Sequence, residues 1–309
     1  VKQQYLDINF RKPSLDLIAT CDRILREYID AGYVITVRTL YYQLVARDII
    51  LNKEASYKNL TGLVNDARLA GLLDWDVIED RGRRPVVRPR WGNGRQFLES
   101  VLPQYHSDLW QGQPERVFVV VEKDALAGVL EQTCHNYDIP LLAARGYPSA
   151  SSVRDLVHEH VFPYLYEGWH GRGDPGRLRK YPQRIVFLHM GDHDPSGIDM
   201  SRDLEHRLRL FSEGLFKLTF RRIALNMEQI EEVNPPPNPA KVTDSRFKDY
   251  EDKYGSESWE LDALPPDYLN FLLEQEVGEH LEKVIWDVRA AALKATRGRL
   301  MQLAEKFDG

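Results

Sequence analysis

Apolar positions near the N-terminus recur with helical spacing. Leu17, Ile18, Cys21, Ile24, Leu25 and Tyr28 form one stripe. Pro13 opens this helix, Ser14 is its expected N-cap, and Gly32 stands where a C-cap glycine belongs. A second predicted helix follows Thr36 through VRTLYYQLVARD, and a third begins after Ser56 in SYKNLTGLVNDARLAGLL. The stretch DVIEDRGRRPVVRPRWGNG then alternates between apolar and polar residues and is broken by Gly and Pro. It predicts two short strands joined by a basic turn. Three helices followed by a basic hairpin is the layout of a winged helix, predicted here over residues 1–100.

The pattern changes near Glu115. RVFVVVE is a continuous apolar strand ending at Glu122, IPLLAARGYPSAS is a second strand and turn, and RIVFLHM is a third strand leading into GDHDPSG. Helical stretches lie between and after them, SVRDLVHEHVFPYLYEG and GIDMSRDLEHRLRLF among them. Strands alternating with helices predict a Rossmann-like parallel sheet, placed over residues 110–309, with ligands beyond the carboxyl ends of its strands. After the proline-rich break NPPPNPAK, the segment DSRFKDYEDKYGSESWELDAL has no clear period. From Asp267 onward one long amphipathic helix is expected. The predicted fold class is therefore mixed α/β, with a helical extension at the C-terminus.

No apolar run approaches the roughly 20 residues that span a bilayer. The opening VKQQYLDINF lacks the order of a signal peptide. Cys21 and Cys134 are the only cysteines, with no metal-ligand spacing, so a reduced cytoplasm is expected and a zinc site is not. A net charge of −6 does not advertise nucleic-acid binding, but its distribution is uneven. Glu79 to Arg95 holds six arginines against two acids. Arg81, Arg83, Arg84, Arg88 and Arg90 would decorate the wing and grip phosphate without reading bases. Lys58, Thr61, Asn65 and Arg68 line one polar side of the third helix, which is expected to face a groove.

Two constellations carry candidate chemistry. On the second helix, Val37, Leu40, Tyr41, Leu44 and Val45 share the apolar face, so Tyr41 is expected in the core. Tyr42 lies off that stripe, one turn after Arg38, whose guanidinium suits a phosphate. A phenol with its ordinary pKa near ~10 needs such activation to act as a nucleophile. In the second domain, Glu122 ends one strand, while Asp192 and Asp194 follow another. Three carboxylates at one sheet edge call for a hard cation, and Mg²⁺ suits them. Gly191 and Gly197 permit the tight turn between strand and helix. His189 is expected in the core, His193 near substrate, and Asp199 and Arg202 on a helix face.

These motifs, VRTLYY (37–42), VVVEK (119–123), RGYPS (145–149) and GDHDPSG (191–197), resemble the A subunit of topoisomerase VI and the related meiotic double-strand-break transesterases. The resemblance covers about residues 36–90 and 115–205 and is vaguer through WELDAL (259–264), where Glu260 is a further candidate. It implies a winged helix followed by a Toprim domain, with Tyr42 as nucleophile and Arg38 beside it. Glu122 would be the general acid or base, and Glu122, Asp192 and Asp194 would hold Mg²⁺, with Mn²⁺ as a substitute. Gly146 and Pro148 match the turn after the second Toprim strand.

The same resemblance implies duplex DNA as substrate, a 5′-phosphotyrosyl link, and a homodimer in which Tyr42 of one copy meets the metal site of the other. Only 41 residues precede Tyr42 and no G-x-x-x-x-G-K-[ST] occurs, so a stand-alone relative is expected, with any ATPase on a separate subunit. Two alternatives stay open: a Toprim nuclease that activates water, and a DNA-binding adaptor without catalysis.

Overall fold

Four strands form one parallel sheet: β1 (Glu115–Val121), β2 (Leu141–Ala143), β3 (Arg184–Met190) and β4 (Leu218–Ala224), in the order β2-β1-β3-β4. The computed structural model describes residues 2–78, 88–167, 176–180 and 182–306. Period-two alternation divides each central strand between two cores. Val117, Val119 and Val121 of β1, with Val186, Leu188 and Met190 of β3, face one core, while Phe118, Val120, Ile185 and Phe187 face the other. The first core is closed by α5 (Asp124–Asn136) and by Leu269, Leu273 and Val277. The second is closed by a helical stretch over residues 150–165 and by α6 (Pro195–Ser212).

The chain leaves β1 toward one edge and β3 toward the other. The crevice beyond the carboxyl ends of β1 and β3 is therefore the topological switch point, where open α/β sheets bind ligands. Register sharpens this, because β1 and β3 pair from Glu115↔Arg184 to Val121↔Met190 and end level. Glu122 and Gly191 thus emerge side by side.

The N-terminal helices are α1 (Lys12–Asp30), α2 (Val37–Ala46) and α3 (Glu54–Leu69). Thr36 caps α2 by accepting from the Thr39 amide, as its position predicts. Ser14 does not cap α1, which begins at Lys12 with Pro13 in its first turn. The three helices bury Ile18, Cys21, Ile24, Leu25, Leu40, Leu44, Leu60 and Val64 in a core of their own, which also takes in Ala263 from far along the chain. Of the hairpin expected over residues 76–94, residues 79–87 lie outside the described residues, and with them Arg81, Arg83 and Arg84, as does the loop 168–175; residues 88–93 form no strand. α4 (Gly94–Val101), capped by Asn93, packs against the C-terminal helix.

The C-terminal half adds α7 (Met227–Val233) and α8 (Phe247–Tyr254), the latter in the segment without a clear period. The single helix expected from Asp267 is two, α9 (Pro266–Glu279) and α10 (Lys283–Glu305). Tertiary contacts hold the break. Glu282 donates its amide to Gln113 Oε1 at 2.8 Å, Gln113 Nε2 donates to the Glu282 carbonyl at 3.1 Å, and His280 Nδ1 meets Glu115 Oε2 at 2.6 Å. No helix among the described residues is long and apolar enough to cross a membrane.

Phe187 is buried in the central strand and stacks on Phe118, so Phe187→Ala should cost about 3–5 kcal/mol in urea unfolding. Val284→Ala on the exposed side of α10 should stay within about 0.5 kcal/mol of the parent. Equal losses at the two positions would contradict this account of the core.

Candidate active site

At the switch point, Glu122 and the turn after β3 are interlocked. The Asp192 amide donates to Glu122 Oε2 at 2.9 Å, and the Glu122 amide donates to the Met190 carbonyl. Asp194 caps α6, its Oδ1 accepting from the Gly197 amide at 2.6 Å. Both glycines are required by close approach. A Cβ on Gly191 would stand 2.9 Å from Glu122 Oε2, and one on Gly197 would run into the Asp192 carbonyl oxygen. Arg222, reaching in from β4, binds the Gly191 carbonyl at 2.8 Å, the Asp192 carbonyl at 2.6 Å and the Gly197 carbonyl at 3.1 Å. One guanidinium thus pins the whole turn, and burial lowers its pKa. The only sequence signal for it is the Arg221–Arg222 pair interrupting the strand LTFRRIA.

A second loop closes on this turn. His193 and Trp259 exchange backbone hydrogen bonds, each of 2.9 Å, which places Glu260, Leu261 and Asp262 beside Asp192. The Leu261 amide donates to Asp192 Oδ1 at 2.8 Å. Lys123 sits at the centre, with its ammonium 2.8 Å from Asp192 Oδ1 and 3.0 Å from Asp262 Oδ1, and also ion-paired to Glu260 Oε2. Arg38 arrives from α2, with Nη2 2.9 Å from Glu260 Oε2 and Nε 2.8 Å from Asp262 Oδ2. Burial would by itself raise Glu260, but Lys123 and Arg38 outweigh it and hold the carboxyl below its ordinary value. Burial opposes the charge on Lys123, yet Asp262, Asp192 and Glu260 hold its pKa well above the usual range.

Tyr42 departs from expectation. Its place off the apolar stripe predicts exposure, but it is 5% exposed and belongs to the N-terminal core. The neighbouring Tyr41 ring and the packing of α2 against the Leu261–Asp262 loop enclose it. Burial, with the charges of Glu260 and Asp262 adding, raises its pKa against the pull of Arg38 and Lys123. The two tyrosines still differ. Tyr41 donates its hydroxyl to Asn52 Oδ1 at 2.9 Å, while the Tyr42 hydroxyl has no hydrogen bond among the described residues. Arg38 stands 5.8 Å from the centre of the Tyr42 ring. Both line a cleft of about 170 Å³ shared with Tyr41, Asn52, Glu54 and Tyr57.

The three expected metal ligands do not stand as one cluster, and no three His, Cys, Asp or Glu side chains among the described residues are grouped to hold a metal ion. Asp192 Oδ1 is taken by Lys123 and the Leu261 amide. Glu122 and Asp194 each keep one oxygen without a hydrogen bond among the described residues. Burial, with the Asp194 charge adding, raises Glu122. Mg²⁺ ordinarily uses one or two carboxylates plus water and phosphate, so the residues fit a two-carboxylate site and not a three-carboxylate cage.

Other expected residues take different places. His189 is fully buried with Nδ1 3.0 Å from Ser201 Oγ, as its strand position predicts. His193, expected near substrate, is buried at 2% exposure, with Nδ1 2.7 Å from the Tyr250 hydroxyl. Arg68 does not face a groove. It folds back over the Trp75 ring and donates to the Trp75 and Ile78 carbonyls, satisfying the loop after α3. Lys58 is exposed and pairs with Glu54 at 2.7 Å. Thr61 and Asn65 are exposed on the same helix, and Arg88 and Arg90 are exposed before α4. Gly146, at φ +89°, makes the turn after β2 and donates its amide to the Glu122 carbonyl at 3.3 Å. No family model matches the chain, and neither curated proteins nor solved structures yield a match.

Beside this edge, Asp199 accepts from Tyr147 at 2.7 Å, Arg202 at 2.7 Å and Arg246 at 3.0 Å. Burial opposes its charge, but these three bonds lower its pKa to about 2 from 3.8. A carboxylate with a depressed folded-state pKa contributes stability above its unfolded value and loses it as pH falls. Asp199→Asn should therefore lower stability at pH 6 by about 1 kcal/mol after solvent screening. The difference should vanish as pH drops from 3.8 through about 2. Melting curves across that range check this, and a gap that persists undiminished at the acid end would contradict it.

Proposed function

We propose that this chain cleaves duplex DNA by tyrosine transesterification, with Tyr42 as nucleophile, in the manner of a topoisomerase VI A subunit. The reading takes the N-terminal helices as a winged helix and the parallel-sheet unit as a Toprim domain. One observation carries it. Arg38, one turn before Tyr42, is ion-paired into the Glu260–Asp262 loop, which itself packs on the carboxylate-bearing switch point of a parallel sheet. That contact brings the phenol-bearing helix and two cations against a carboxylate edge.

The chemistry follows from the placement. Arg38 grips a backbone phosphate with paired donors and turns it toward the cleft. The Tyr42 oxygen bonds to phosphorus as the bond to the 3′ oxygen breaks, leaving a 5′-phosphotyrosyl link. The phenolic proton passes to solvent, and the departing oxygen takes up a proton at the Glu122 side. Glu122 and Asp194 would hold Mg²⁺ or Mn²⁺, which supplies charge stabilisation at the phosphate and the leaving oxygen. In a homodimer, Tyr42 of one copy would meet the metal site of the other, and two such half-sites would produce a double-strand break. Strand passage would require a separate ATPase subunit.

The burial of Tyr42 favours a second reading, in which the carboxylate edge activates water and Tyr42 is a packing residue. One experiment separates the two. Supercoiled plasmid is incubated with the protein and Mg²⁺ or Mn²⁺, and the reaction is stopped with detergent. Transesterification predicts linear or nicked DNA recovered only after protease digestion. It also predicts a loss of at least about 100-fold in Tyr42→Phe and in Asp194→Asn. Cutting that survives Tyr42→Phe and is lost in Asp194→Asn would establish the water-using nuclease instead.

A further inference from the structure

Arg38 and Lys123 are 85 positions apart in the sequence, yet both point at one atom, Glu260 Oε2. Two cations meeting on one anionic oxygen is how proteins hold a phosphate oxygen. Solvent reaches this arrangement from one side only. Side-chain exposure is 42% for Arg38 and 26% for Glu260, against 15% for Lys123 and 0% for Asp262. The outer carboxylate is thus Glu260 and the inner one Asp262.

Asp262 holds both cations from beneath, Oδ2 on Arg38 and Oδ1 on Lys123, while Asp192 holds Lys123 from the side. Removing Glu260 would therefore leave the cations in place. The charge count agrees. Arg38 and Lys123 face Glu260, Asp262 and Asp192, and a phosphodiester monoanion in place of Glu260 leaves the balance unchanged. The position of Glu260 also permits the exchange. It lies just before the short helical turn Leu261–Ala263, in extended backbone, where its side chain can swing outward while buried Asp262 stays.

We infer that Arg38 and Lys123 form a phosphate seat that the Glu260 carboxylate occupies as an internal stand-in until a backbone phosphate displaces it. The inference rests on the proposed reading only for the source of the phosphate, duplex DNA, and not on cleavage. Glu260 is then an autoinhibitory contact, and Lys123 is a phosphate-binding residue rather than a purely structural cation.

The test uses the full chain, a fluorescein-labelled short duplex followed by anisotropy, and inorganic phosphate followed by thermal melting. Glu260→Gln should tighten duplex binding roughly five- to tenfold at low salt, because a competing anion has left. Glu260→Gln combined with Arg38→Gln should erase the gain. Inorganic phosphate should raise the melting temperature of Glu260→Gln more than that of the parent. If phosphate does so but the duplex gains nothing, the seat stands and the DNA reading fails. If Glu260→Gln melts cooperatively yet gains affinity for neither probe, or keeps its gain without Arg38, the seat is refuted. Should Glu260→Gln fail to fold, Glu260→Asp, which withdraws the carboxylate by one methylene, should show a smaller gain in the same direction, and no gain there refutes the seat equally.

Discussion

A buried ammonium sets the terms for the rest of this molecule. Lys123 leaves water at the carboxyl end of β1, which is tolerable only because Asp192, Asp262 and Glu260 surround it. Each of those acids lies on a different loop position from Lys123, so satisfying one charge fixes three pieces of chain. The turn after β3, the Trp259–Ala263 loop and the start of α5 are brought to a common point. Arg38 extends the same network into α2, and Ala263 enters the N-terminal core beside it. Removing Lys123 or the fully buried Asp262 would strand a buried charge, at a cost of about 3–5 kcal/mol. The two halves of the chain are thus tied at the candidate active site itself.

That tie bears on how the site would work. Tyr42 is enclosed because the loop that carries Asp262 packs over α2. The phenol is therefore shielded, and its raised pKa makes it a poor nucleophile in the state described. Arrival of a phosphate at Arg38 would both loosen the Arg38–Glu260 contact and bring an electrophile to the cleft. On this account the resting charge network keeps an otherwise reactive tyrosine quiet until substrate is present. The two-carboxylate edge of Glu122 and Asp194 is likewise incomplete without the phosphate that would share its cation.

Much of this was legible in the residues. Continuous apolar runs located β1 and β3, because strands buried on both faces have no room for alternation. The Gly191–Gly197 turn followed from its glycines, its D-x-D and the helix that opens after it. The stripe on α2 placed Tyr41 correctly but misplaced Tyr42, since helical period describes one face and cannot foresee a loop closing over another. The break between α9 and α10 was hidden for the same reason: Gln113 and Glu115, far upstream, hold the turn. Asp262 left no local signature, and Arg222 only the arginine pair that interrupts its strand. Their partners lie 31 and 139 positions away, for the Gly191 carbonyl and Lys123 respectively, and sequence spacing does not report such pairs. Arg68 shows the converse, a residue on a polar stripe whose bonds turn inward to loop carbonyls.

The central claim is that Tyr42 and the carboxylate edge act on one phosphate. It is tested most directly by mapping the protein after incubation with DNA and Mg²⁺. The DNA is digested with nuclease, the protein with protease, and the peptides are read by mass spectrometry. The account predicts a nucleotide joined through its 5′ phosphate to the tyrosine of the peptide containing Tyr42. DNA cut in the same reaction with that peptide wholly unmodified, or with the nucleotide on another residue, would contradict it.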